Sequence, residues 1–98
     1  MNIISLLRQK SSTDLYENQG ITYLGLFGSS ARGEAKKNSD VDILIDFNQT
    51  KSLFEMANIS LYFKKLLDQK VDLVDKKSLK KVLIPYINQD LITIYEKN

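Results

Sequence analysis

The 98-residue chain contains neither cysteine nor histidine, and these two absences exclude several kinds of site. Without cysteine there is no disulfide framework and no thiolate metal site. Without histidine there is no zinc hydrolase centre, no serine–histidine–aspartate triad and no imidazole general base. Any metal chemistry must therefore use carboxylate oxygens, which are the ligands that Mg²⁺ and Mn²⁺ prefer.

Long apolar runs and a dominant charge are also missing. No stretch reaches the roughly 18 apolar residues of a membrane span, and the start, MNIISLLRQK, lacks a signal-peptide layout, so we expect a cytoplasmic protein. The formal net charge of +2 is too balanced to indicate nucleic-acid binding. The length predicts one domain over residues 1–98. Three lysine pairs are typical of solvated surface: Lys64–Lys65, Lys76–Lys77 and Lys80–Lys81.

The first half of the chain predicts helix, strand, short helix and strand. Apolar residues between Ile3 and Tyr16 follow roughly helical spacing, with an interruption at Ser11–Thr13 that leaves open one weak helix or two short ones. Gly20 is a typical stop before a buried strand over Ile21–Phe27. Ala31–Lys37 predicts a short helix, after which Asn38 and Ser39 turn the chain back.

The next strand carries acids on one face only. In the predicted strand Asp40–Phe47, one face holds Asp40, Asp42, Leu44 and Asp46, while the other holds Val41, Ile43, Ile45 and Phe47. A capping box of Ser52 and Glu55 then predicts a helix start. Its apolar stripe is Leu53, Met56, Ile59, Phe63, Leu66 and Leu67.

The remaining segment predicts a short strand, a last helix and a closing strand. Val71–Val74 places Asp72 away from the apolar face. Ser78 is the expected cap of a helix through Ile87, which Pro85 should kink or confine. Leu91–Tyr95 closes the chain as a strand. We therefore predict an α+β fold, a small mixed β-sheet with helices packed on one face, because only one face of Asp40–Phe47 is apolar. The Gly28–Ser39 connection leaves an antiparallel return and a tight crossover both open.

Two features of this pattern point to phosphate and metal binding. Asp40 and Asp42 lie about 7 Å apart along a strand, so their carboxylates can converge on one ion, or on two ions about 3.5–4 Å apart. At the turn Gly28–Ser29, glycine allows close backbone approach, and backbone amides with the Ser29 hydroxyl can hold phosphate oxygens. The pair predicts a nucleoside triphosphate site, although a purely structural role for both acids at a turn and strand edge stays open.

Other metal and nucleotide motifs fail on specific positions. An EF-hand loop starting at Asp40 would need glycine and glutamate where Ile45 and Lys51 stand. A Walker A motif is absent from the sequence. Asp46 lies roughly 13 Å beyond Asp42 along the strand, too far to share its metal, and is predicted to be a surface acid.

The run GSSARG at residues 28–33, followed by SDVD at residues 39–42, resembles the GSxxxG…SDxD signature of the polymerase-β-like nucleotidyltransferases. The small size, the VDLV strand and the final LITIYEKN resemble their minimal nucleotidyltransferase (MNT) branch. Many members of that branch are antitoxins paired with HEPN-domain ribonuclease toxins. The resemblance covers nearly the whole chain, and the combined motif is specific where either half alone is not.

This resemblance implies roles for five residues. Asp40 and Asp42 match the acids that hold two Mg²⁺ ions, and Asp72 matches a third carboxylate that helps bind the catalytic ion and activates the attacking hydroxyl. Gly28 and Ser29 match the phosphate-binding turn. A further contact with phosphate or with a partner is assigned to Arg32, which could equally be a surface arginine.

The implied reaction is transfer of AMP from ATP to a tyrosine hydroxyl of a HEPN toxin, with release of pyrophosphate. A hetero-oligomer with that toxin is expected, since 98 residues leave no room for an acceptor-binding second domain. Neither a membrane nor direct nucleic-acid binding is expected. Two alternatives stay open: an antitoxin that acts by binding alone, and a nucleotidyltransferase for a small-molecule hydroxyl.

Overall fold

The chain begins with two short helices and not with one weak helix, which settles the two alternatives left open by the sequence. The structure, a computed structural model, describes residues 2–34 and 39–97. Helix α1 spans Ile3–Arg8 and helix α2 spans Lys10–Asn18. The break falls at Gln9, whose backbone is extended, and so lies earlier than the polar Ser11–Thr13 run. Gly20 then adopts a φ of +72° directly before the first strand.

Four strands form one mixed sheet in the order β3-β2-β1-β4. Strand β1 is Ile21–Phe27, and β2 is Val41–Phe47, β3 Val71–Asp75 and β4 Ile92–Glu96. β1 pairs antiparallel with β2 and with β4, while β2 and β3 are parallel. The connection after β1 is therefore an antiparallel return, and the predicted mixed sheet is confirmed.

The first connection differs from its prediction. A turn of 3₁₀ helix covers Gly28–Ser30, and the chain turns again through residues 31–33, so no α-helix begins at Ala31. Gly33 has a φ of +73°, which is incompatible with a continuing helix. Residues 35–38 of the predicted helix and turn lie outside the described residues.

Helix α3 spans Leu53–Leu67 and starts at the predicted capping box. The Ser52 hydroxyl accepts the amide N–H of Glu55 at 3.1 Å, and the Ser52 N–H donates to Glu55 Oε1 at 3.0 Å. The apolar stripe reaches the core only from its second turn onward, since Leu53 is 90% exposed. Asp68, at a φ of +53°, ends the helix.

The last helix is shorter than predicted and has a different start. Helix α4 covers Ile84–Asp90 with Pro85 in its first turn, where a missing N–H costs no hydrogen bond. Ser78 does not cap it: this residue closes a separate 3₁₀ turn, and its hydroxyl donates to Asp75 Oδ2 at 3.5 Å. Pro85 therefore confines the helix to its C-terminal side, which is the second of the two predicted alternatives, and does not kink it.

The core lies mainly between the sheet and helices α1–α3. Leu7, Tyr16 and Phe63, one from each helix, are fully buried against Ile43 and Ile45 of β2. A smaller cluster on the other face joins Tyr23 and Leu44 to Ile87 of α4. The acid-bearing face is thus partly covered, because Leu44 lies on it between two acids. None of the helices among residues 2–34 and 39–97 is long and apolar enough to cross a bilayer.

Phe63→Ala tests the main core. Phe63 is fully buried, and its ring lies 6.0 Å from that of Tyr16, so we expect a loss of about 3–5 kcal/mol in the free energy of unfolding. The matched control is Phe54→Ala on the same helix, which is 86% exposed and should change stability by no more than about 0.5 kcal/mol. Urea unfolding followed by circular dichroism measures both, and equal losses would contradict this core.

Candidate active site

Parallel pairing of β2 with β3 sets two of the predicted acids side by side. Asp42 and Asp72 are direct partners in the register of these strands. Neighbouring strands are about 4.8 Å apart, so both carboxylates project from the same face at adjacent positions. Asp40 precedes β2 by one residue and is exposed. The fold therefore brings all three predicted acids to one end of the sheet.

The three acids influence one another electrostatically. Partial burial raises the pKa of Asp42 above its ordinary value, and the neighbouring carboxylates of Asp72 and Asp40 raise that pKa further. The positive charge of Arg32 acts in the opposite direction. Asp42 is thus the acid whose pKa is shifted by the charges of the neighbouring groups.

The Gly28 turn lies directly against Asp42. Phe27, the last residue of β1, pairs with Asp42, so the chain leaves the sheet beside this carboxylate. A Cβ atom on Gly28 would overlap Asp42 Oδ2, and the φ of Gly28 is +75°. Both facts require glycine here: no side chain fits, and the backbone conformation disfavours one. The predicted turn and the predicted acids therefore form one continuous surface.

The turn is closed by its own backbone. The Gly28 carbonyl accepts the N–H groups of Ala31 at 3.1 Å and Arg32 at 3.2 Å, and the Ser29 carbonyl accepts that of Glu34 at 2.9 Å. Ser29 is partly exposed, as a phosphate contact requires. The Ser30 hydroxyl is buried without a hydrogen-bond partner among the described residues.

Arg32 is held by two carboxylates. Its guanidinium donates to Glu34 at 3.0 Å and to Asp90, the last residue of α4, at 2.7 Å. The side chain therefore ties the turn to a helix 58 positions away. Its predicted contact with phosphate stays a prediction, since phosphate would have to compete with these two partners.

Asp46 lies on the same face but outside this group. Its carboxylate is 3.6 Å from the Lys77 ammonium and accepts the N–H of Phe47. Its side chain is 22% exposed, so the predicted surface acid is partly covered, and its ion pair is with Lys77.

A groove beside the acids was missed at the sequence level. It has a volume of about 540 Å³ and is lined by Asp40 and Asp72 together with Lys64 and Lys70. Lys64 is exposed, in agreement with the prediction of solvated surface, and it also lines this groove. No local pattern could have placed it here, because the groove exists only where the end of α3 packs beside the start of β3.

Comparison with known proteins identifies the family. Residues 9–98 match the sequence profile of the family described as "Polymerase beta, Nucleotidyltransferase". The chain belongs to this family. Protein adenylyltransferase MntA of Thermococcus cleftensis is 41% identical over 81 residues, covering 83% of this chain and 82% of that protein.

Two solved structures resemble the chain over most of its length. A putative minimal nucleotidyltransferase has a TM-score of 0.76 at 31% identity and covers 94% of this chain and 95% of its own. A toxin–antitoxin structure with AMP-PNP has a TM-score of 0.74 at 25% identity, covering 88% of this chain and 71% of that one. The chain is a nucleotidyltransferase with the polymerase-β-like fold, and the resemblance to the minimal branch is confirmed.

The chemistry of the acid group fits a divalent cation. Asp40, Asp42 and Asp72 are hard oxygen donors. Burial and, after it, repulsion by the two other carboxylates raise the pKa of Asp42, and a cation would offset both effects. Within residues 2–34 and 39–97, no three acidic side chains are already arranged to hold a metal ion. The acids are therefore neighbours in the fold and not a preformed cage.

Gly28→Ala and Gly33→Ala form a matched pair. Both glycines have positive φ, so each substitution should cost about 1–2 kcal/mol in the free energy of unfolding. A Cβ at Gly33 meets no described atom within 4 Å, whereas one at Gly28 overlaps Asp42. We expect Gly28→Ala to cost more and to abolish nucleotide binding in calorimetry, while Gly33→Ala retains binding. Equal behaviour would contradict the close approach of turn and acid.

Asp42→Asn tests the raised pKa of Asp42, which burial and the neighbouring carboxylates cause, through the pH dependence of stability. A folded-state pKa raised above the ordinary 3.8 means that the folded protein binds more protons than the unfolded chain above that pH, so wild-type stability falls as pH rises through this window. In the presence of a chelator, Asp42→Asn should therefore be more stable than wild type near pH 7, and the gain should shrink toward pH 3. Urea unfolding at both pH values measures this, with exposed Asp14→Asn as control. A gain independent of pH would contradict a raised pKa at Asp42.

Proposed function

We propose that this chain is a Mg²⁺-dependent protein adenylyltransferase that transfers AMP from ATP to a tyrosine hydroxyl of a HEPN-domain toxin and so acts as its antitoxin. The observation that carries the proposal is the register pairing of Asp42 with Asp72 beside the Gly28 turn. The likeness to protein adenylyltransferase MntA and to a toxin–antitoxin structure with AMP-PNP supports it. ATP and such a toxin would both be met in the cytoplasm.

In this proposal Asp40, Asp42 and Asp72 hold two Mg²⁺ ions. The ions, when bound, would neutralise phosphate charge and stabilise the attacking and leaving oxygens. The turn at Gly28 and Ser29 holds the triphosphate, because its backbone reaches the acids with no side chain between. Arg32 would contribute positive charge at the rim of the same turn.

The reaction forms one bond and breaks another at the α-phosphorus of ATP. The tyrosine oxygen attacks this atom, and the bond to the bridging oxygen breaks, so that pyrophosphate leaves with the electron pair. Asp72 accepts the hydroxyl proton. It is suited to this role because β3 is an edge strand and Asp72 is exposed to an approaching acceptor. A carboxylate takes the role of general base in a chain without histidine.

Incubation with α-labelled ATP, Mg²⁺ and a HEPN-domain toxin tests the function. Wild type should label the toxin. Asp42→Asn and Asp72→Asn should each reduce the rate by about 10²-fold or more, because each removes charge that acts in the transition state. The matched control is Asp46→Asn, which changes an acid on the same strand and face and should stay within about threefold of wild type.

Absence of label on the toxin with wild type, or full labelling by both Asp→Asn variants, would sink the proposal. If a toxin variant in which the acceptor tyrosine is replaced by phenylalanine still becomes labelled, the assignment of tyrosine as the acceptor is wrong. The proposed transfer of AMP to the toxin would not be affected.

An antitoxin that neutralises by binding alone is the second candidate. The observation that favours it is a set of large apolar side chains left exposed for a partner: Leu53 at 90%, Phe54 at 86%, Val82 at 68% and Tyr86 at 71%. This candidate requires that the triple variant Asp40→Asn, Asp42→Asn, Asp72→Asn still neutralise the toxin at equal concentration. Loss of neutralisation with retained complex formation would exclude it.

A further inference from the structure

The groove beside the acids continues outward along the end of α3. Its inner part contains Asp40 and Asp72. An adjoining hollow of about 630 Å³ shares Leu61, Lys64 and Lys70 with it and adds Lys65. The two hollows therefore form one channel that leads from the surface of α3 to the acids. We call it the α3–β3 groove.

Strand order places this groove and the Gly28 turn on opposite sides of Asp42. β1 ends at the turn on one side of β2, and β3 carries Asp72 on the other side. In phosphoryl and nucleotidyl transfer the attacking and leaving oxygens lie roughly in line across the phosphorus. If the turn holds the departing phosphates, the acceptor must approach from the side of β3, where the groove opens.

The outer groove carries an excess of positive charge. Lys64, Lys65 and Lys70 line it, against the single acid Asp68. Among the residues that the structure describes, none of these three lysines forms an ion pair. Lys64 and Lys65 also stand in the last turn of α3, where positive charge favours the helix end. Lys70 lies outside the helix, so a favourable interaction with the helix C-terminus does not explain why all three lysines line the same groove.

The inner groove offers an apolar wall next to Asp72. Leu61 is 52% exposed and lines both hollows together with Lys64 and Lys70. An aromatic ring could pack on this wall while its hydroxyl reaches Asp72. The surface thus combines a place for a ring, a carboxylate for its hydroxyl and ammonium groups farther out.

We propose that the α3–β3 groove receives the acceptor segment of the partner protein, and that this segment is an acidic peptide stretch in which the tyrosine is flanked by aspartate or glutamate. Lys64, Lys65 and Lys70 pair with the flanking carboxylates, Leu61 packs against the ring, and Asp72 meets the hydroxyl. This assignment rests on the proposed function for the identity of the reaction, while the binding preference stands on the groove itself.

Binding of fluorescent peptides tests the charge preference without any reaction. Two peptides are compared by fluorescence anisotropy, one with tyrosine flanked by glutamates and one with tyrosine flanked by lysines. Wild type should bind the acidic peptide at least tenfold more tightly. The double variant Lys64→Glu, Lys70→Glu should lose this preference, and the matched double variant Lys80→Glu, Lys81→Glu, which changes the charge equally away from the groove, should keep it.

Several outcomes would overturn the groove assignment. These are equal affinity of wild type for the two peptides, a preference that survives in the groove variant, and equal loss of preference in the control variant. Circular dichroism establishes that each variant is folded. If charge reversal unfolds the chain, Lys64→Gln, Lys70→Gln replaces it and should reduce the preference at least threefold.

Steady-state kinetics with ATP and the HEPN protein separate the acceptor from the nucleotide. The groove variant should raise the KM for the toxin at least tenfold and leave the KM for ATP within twofold of wild type. A rise in the KM for ATP alone would mean that the lysines bind the triphosphate, which contradicts the proposal. If wild type transfers no AMP while its peptide preference holds, the proposed function fails and the groove assignment stands.

Discussion

The parallel pairing of β2 with β3 is the constraint on which the rest of the site depends. The ladder begins where the Val41 N–H donates to the Lys70 carbonyl at 2.8 Å, and it sets Asp42 opposite Asp72. Since side chains alternate between faces, a slip of one residue would send Asp72 into the core and bring an apolar side chain to the acids. The register therefore decides whether three acids meet at all.

This pairing costs free energy that helix α3 offsets. A parallel connection requires a crossover, and two neighbouring carboxylates repel each other. Helix α3 supplies the crossover, with Phe63 and Leu67 buried against the sheet and a capping box fixing its start. Burial, and after it the charges of Asp72 and Asp40, raise the pKa of Asp42 in the folded protein. Stability is thus lost at the acids and recovered in the core, as is common for functional sites.

Strand order gives the site two distinct sides. The Gly28 turn approaches Asp42 from β1, and β3 lies at the open edge of the sheet with a lysine-lined groove beside it. In the proposed reaction, the nucleotide would occupy the first side and the acceptor the second. The Arg32–Asp90 ion pair fastens the first side to α4, so the turn rests on a helix that packs on the acid-bearing face.

Local patterns in the sequence determined the elements and the candidate residues. The span of β1, the capping box at Ser52 and the outward direction of Asp72 all follow from periodicity or from contacts within a few residues. The GSSARG and SDVD runs were also informative, because a motif is defined by residue types at a fixed spacing along the chain. The candidate site residues, and the strand face on which each lies, could therefore be predicted from the sequence alone.

Only the tertiary structure decided how these parts meet. Pro85 starts a helix instead of kinking one, Leu44 is covered by α4 although it lies between acids, and Arg32 finds its partner 58 positions away. Lys64 and Lys70 become neighbours of Asp72 only when α3 packs beside β3. Each of these outcomes depends on contacts between residues far apart in the chain, and periodicity carries no information about which distant surfaces come together.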